Sequence, residues 1–114
     1  MHAERFLPLT PVVFEIALAL AAGERHGYEI MQDVERRTDG KISLHPGTLY
    51  RALGRLLDQG LIEELDERPA AGEDDERRRY YKLTPLGQAV ARAEVERLAS
   101  QVSAARRLFR GGRA

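Results

Sequence analysis

Apolar residues recur along this chain mainly at helical spacing, with two short exceptions. Val13, Ile16, Ala17 and Leu20 follow Thr10-Pro11. A hydroxyl followed by proline is a helix-start signal. The side chain can cap a backbone N–H, and the N–H that proline lacks is no loss in the first turn. Gly23 is placed to close this first helix. In the stretch HGYEIMQDVERR, Ile30, Met31 and Val34 share a face, while Glu29, Gln32, Asp33 and Arg36 lie elsewhere. That spacing predicts a second helix, ended by Thr38-Asp39-Gly40. A third begins near Pro46, with His45 at or beside its cap. Leu49, Ala52, Leu53, Leu56 and Leu57 gather on one side, and Gly60 suits the left-handed position past its end. Only LIEEL and RYYKLT read as strands. The segment DERPAAGEDDERR between them has turn composition, so residues 61–84 predict a two-stranded hairpin with a long tip. Thr84-Pro85 repeats the helix-start signal for a last helix running to about Phe109. Along it, Ala91, Val95, Leu98, Val102, Ala105 and Phe109 are separated by 4, 3, 4, 3 and 4 residues, the a/d seam of a coiled coil. Leu86 and Val90 precede the seam and are expected to pack on their own domain.

These elements predict a mainly α fold with a small β-hairpin (α+β). Three helices, a hairpin and a long helix form the order of a winged helix-turn-helix. Residues 1–84 would form the winged domain, and residues 85–114 a C-terminal dimerisation helix with a basic tail. A final helix of roughly 25 residues is on the order of 37 Å long and outreaches so small a domain, so a homodimer is expected.

Composition narrows the function. The chain has 18 basic and 18 acidic residues, so net charge gives no push toward nucleic acid and only its distribution can. Without cysteine there are neither disulfides nor thiolate metal sites. His2, His26 and His45 have no ligand spacing, and neither a metal nor a cofactor is expected. No apolar run approaches the roughly 20 residues of a membrane span. The opening MHAERF lacks the apolar core of a signal peptide, and a cytoplasmic protein is the expectation. Catalytic motifs are absent. The acids fall in the hairpin tip and on helix surfaces, where nothing would shelter them, so no enzyme is expected.

The third helix is the informative one. Its leucines turn inward, leaving Gly47, Thr48, Arg51, Gly54, Arg55 and Asp58 outside with Tyr50 flanking. Glycine in a helix costs roughly 1 kcal/mol against alanine, and a face selected only for solubility has little use for it. A narrow face with arginines, a threonine and gaps suits a DNA major groove, where arginine forks onto guanine and a threonine methyl meets thymine. The helix N-terminus also aims free N–H groups at a phosphate. Alternation on the returning strand puts Tyr81 and Leu83 toward the core and Tyr80 and Lys82 away from it.

In chain order, HGYEI, PGTLYRALGRLLDQGLIEE and RRRYYKLTPLGQ cover residues 26–88. Together they resemble the PadR family of bacterial transcriptional regulators, in the short form with one C-terminal helix. The resemblance implies a homodimeric winged-helix repressor of promoters, bound to a near-palindromic double-stranded operator and open to release by a small-molecule effector. It implies DNA contacts at Tyr28, His45, Gly47, Thr48, Tyr50 and Arg51, and basic wing positions at Arg77, Arg78, Arg79 and Lys82. Arg55 joins them from the helical wheel alone. Two departures stand out. His45 occupies a place where the family often has serine. The run EDDE, residues 73–76, adjoins the wing arginines where the family commonly has glycine and basic residues, so a modest wing contribution is expected. In relatives the dimer cavity is often aromatic. This chain has no Trp, and Phe6, Phe14 and Phe109 are its candidate lining. Zero net charge and the acidic tip keep open an alternative, a winged-helix protein-interaction adaptor without DNA binding.

Overall fold

The computed structural model describes residues 2–65 and 79–111. A short 3-10 turn, Ala3–Phe6, precedes helix α1, Pro11–Ala21. Thr10 caps α1, its hydroxyl accepting from the Val13 N–H at 3.2 Å. Buried Ile16, Ala17, Ala19 and Leu20 make α1 the centre of the domain. Strand β1, Arg25–His26, leads directly into α2, Gly27–Arg37. His26 closes a capping box. Its Nδ1 accepts from the Glu29 N–H at 3.2 Å, and the Glu29 carboxylate accepts from the His26 N–H at 3.0 Å. At the far end of α2, the Arg37 guanidinium reaches Glu15 of α1 at 2.8 Å, locking the two helices together.

Helix α3, Pro46–Asp58, buries Leu49, Ala52, Leu53 and Leu56. It ends in a Schellman motif: Leu61 N–H donates to the Leu56 carbonyl and Gly60 N–H to the Leu57 carbonyl, both at 3.0 Å. Gly60 has the positive φ, +76°, that this turn needs. Buried Leu61 returns onto Leu56, the apolar contact that accompanies the motif. From there the chain enters β2, Ile62–Leu65, paired antiparallel with β3, Tyr80–Leu83.

The sheet has three strands in the order β1-β3-β2, not the two expected. Arg25 pairs with Tyr81 and His26 with Tyr80. Two residues are too few to show a strand period, and β1 exists because β3 offers it a free edge. Alternation holds on β3: Tyr81 and Leu83 are buried, and Tyr80 and Lys82 lie on the other face. The hairpin tip lies outside the described residues.

Helix α4, Pro85–Gly111, begins at a tight junction. The Thr84 hydroxyl donates to the Gly60 carbonyl at 2.6 Å and accepts from the Gly87 N–H at 3.0 Å. Any Cβ on Gly87 would collide with the Leu61 carbonyl, so the close approach of α4 to the end of α3 requires glycine there. The first turns of α4 complete the core through Gly87, Val90, Ala91 and Glu94. Leu86 packs against it too. Two expectations are corrected here. Ala91 is covered by its own chain and has almost no surface for a partner. Glu94, expected on an open helix surface, is 1% exposed. Its carboxylate accepts from the Leu9 N–H at 3.1 Å and from Arg97 at 2.6 and 2.9 Å. Beyond it α4 leaves the core: Val95, Val102 and Phe109 are exposed, and Leu98 and Ala105 half-buried.

Candidate nucleic-acid interface

The inner side of α3 is sealed into the core beside α2 and β2 by its leucines, which fixes the opposite side outward. His45, Gly47, Arg51, Gly54, Arg55 and Asp58 are exposed, and Thr48 is half-buried. No Cβ on Gly54 would meet anything, so that glycine keeps the helix surface low without serving the fold. Pro46 occupies the first turn, and the His45 side chain makes no capping hydrogen bond. The first N–H groups of α3 therefore open toward solvent with the positive end of the helix dipole behind them. Among the described residues, Arg51 and Arg55 have no acid partner.

Tyr28 and Tyr50 join this surface. Tyr28, 59% exposed, stands on the first turn of α2. Tyr50, 39% exposed, lays its ring over Gly27, where any side chain would run into the tyrosine hydroxyl. The His26 ring stacks on Tyr28 at 6.4 Å and meets Tyr80 of the wing edge-on at 5.3 Å. Burial pushes the Tyr81 phenol above its ordinary range, with the charges of Glu64 and Tyr50 adding to the shift and Arg79 opposing it. Tyr81 therefore remains a neutral core side chain on the wing strand β3.

The described wing differs from the expected basic one. Arg79 lies 3.4 Å from Glu64, and Lys82 lies 3.7 Å from Glu63, its direct cross-strand partner. Lys82 lies on the face of β3 opposite buried Tyr81 and Leu83. It lines an open groove of about 600 Å³ with Leu20, Glu63, Pro85 and Gln88. Phe6, Phe14 and Phe109 do not line that groove. Arg77 and Arg78 lie outside the described residues. The sequence reading missed His26 and Gly27 as organisers of the surface, and Glu63 and Glu64 as partners of the wing cations. For the acids the signal was available: setting IEEL antiparallel to YYKL puts Glu63 opposite Lys82, and Glu64 opposite Tyr81, two residues along the chain from Arg79.

Residues 16–93 match the sequence profile of the Transcriptional regulator PadR-like family. The chain belongs to that family. Its members are transcriptional regulators and not enzymes. An uncharacterized protein of Lysinibacillus sphaericus is 35% identical over 66 residues, 58% of each chain, so this chain spans little more than half that relative's length. Among solved structures, a transcriptional regulator from Clostridium thermocellum superposes with a TM-score of 0.67 at 29% identity, covering 84% of this chain and 90% of that one. Bacillus subtilis PadR, solved in complex with operator DNA, superposes with a TM-score of 0.64 at 23% identity, covering 77% of this chain and 48% of that one. At that identity the second likeness concerns the fold. Among the described residues no helix is long and apolar enough to cross a membrane.

Proposed function

We propose that this PadR-like chain is a homodimeric repressor that reads double-stranded operator DNA with α3 and is released by a small-molecule effector. One observation carries the reading: α3 turns a glycine-thinned face into solvent, with two arginines that meet no acid among the described residues, while its leucines seal the core. A low, cationic ridge of that kind fits between phosphate backbones, with Arg51 and Arg55 in reach of base edges and phosphates. Tyr28, His45, Gly47, Thr48 and Tyr50 would complete the contact. The apolar stripe of α4 from Val95 to Phe109 would join two copies, setting paired α3 helices on successive major grooves. Operator binding by Bacillus subtilis PadR supports the reading by likeness of fold. The effector rests on family membership alone.

The test is a mobility-shift titration with the DNA upstream of the gene. Arg51→Ala should weaken specific binding by about 1–3 kcal/mol if Arg51 reads a base. Unchanged affinity would remove Arg51 from the interface.

The paired wing charges favour a second reading, a protein-interaction adaptor. An adaptor would show no salt-dependent binding to any duplex at low salt, whereas a DNA reader must.

A further inference from the structure

His26 and Gly27 lie where the three parts of the proposed interface meet. His26 pairs with Tyr80 in the sheet and caps α2 through Nδ1. The residue is 7% exposed, and its ring is T-shaped to Tyr80 and stacked on Tyr28. The next residue, Gly27, is the floor on which Tyr50 of α3 rests. Tyr28 is largely exposed and Tyr50 partly so, and both rings border this pair of residues.

We infer that His26 is a positioning residue for DNA reading: its ring sets Tyr28 against the wing while the Gly27 floor sets Tyr50. This rests on the reading of α3 as a DNA-binding helix. His26 combines two separable jobs, a cap made by one nitrogen and an aromatic wedge made by the whole ring. A cap stabilises α2 and nothing more. A wedge between exposed tyrosines and the wing fixes the shape of a binding surface. Aromatic contacts of this type are worth a few-fold in an equilibrium constant each, and two converge here.

Two substitutions divide the jobs. Asparagine is a strong helix cap without an aromatic ring. His26→Asn should therefore keep the cap of α2, yet, assayed well below its melting transition, bind operator about three- to tenfold more weakly. Its affinity for a random duplex at the same salt should be unchanged. Phenylalanine keeps a ring and loses the cap. His26→Phe should melt lower, yet keep operator affinity when assayed well below its transition. The inference is overturned if His26→Asn binds operator like wild type. It is equally overturned if both variants lose affinity in step with their melting temperatures, since His26 would then be a cap alone. A wild-type protein that does not prefer operator over random duplex would instead remove the DNA-binding reading, and this inference with it.

Discussion

Of the six basic residues assigned to one surface, the four described ones fall into two electrostatic situations. Arg51 and Arg55 stand on α3 without acid partners among the described residues, whereas Arg79 and Lys82 meet Glu64 and Glu63. Exposed ion pairs contribute under about 1 kcal/mol, so they hold the wing loosely but cancel its local charge. Binding strength is therefore expected to lie with α3. Glu94 poses the opposite case, an acid drawn inward. Hydrogen bonds from Arg97 hold its carboxyl below the usual carboxylate range, burial opposes this, and the Leu9 N–H adds to the lowering. A depressed folded value means the stabilisation is present above the unfolded value and is lost as pH falls through the folded one. Glu94→Gln should melt below wild type at pH 7, and the gap should close below about pH 4. A gap in melting temperature that is the same at pH 7 and pH 3 would show that Glu94 charge is not what ties the N-terminal segment to α4.

At the scale of elements, α4 is two devices in one helix. Pro85 to Glu94 closes the core, and along the apolar stripe from Val95 onward Val95, Val102 and Phe109 stay exposed among the described residues. Leu98→Asp should leave the winged domain folded and yield monomers that bind DNA poorly, because a carboxylate would be stranded in an apolar seam. Sedimentation at micromolar concentration checks this, and a persisting dimer would contradict the seam. The heptad spacing was readable from sequence, but its starting point was not. Ala91 obeys the spacing as well as Val95, and only the approach of α4 to Leu61 through Gly87 decides which of them the core absorbs. Local rules served α1, α3 and the turn at Gly60 because caps, proline and glycine act within a few residues. Strand β1 and the burial of Glu94 escaped because both depend on partners far along the chain: Tyr80 and Tyr81 for the strand, Leu9 for the acid. The outer face of α3 was legible for a simpler reason. Its leucines determine which side is hidden, and what remains must face out. The tyrosine surround was less legible, since Tyr50 over Gly27 is a contact between helices that no periodicity announces.

For the whole molecule, zero net charge makes any affinity for DNA a matter of where charge sits. The described chain concentrates uncompensated positive charge on α3 and compensates it on the wing, while α4 carries the surface that would bring a second α3 alongside. Specific binding should thus depend steeply on salt through phosphate contacts and require the dimer. Hydroxyl-radical footprinting of the upstream DNA with purified protein tests this most directly. Two protected half-sites, centred roughly 10 bp apart and lost together in Arg51→Ala, are the expected result. Absence of protection at low salt, or a single protected patch that persists in Arg51→Ala, would contradict it.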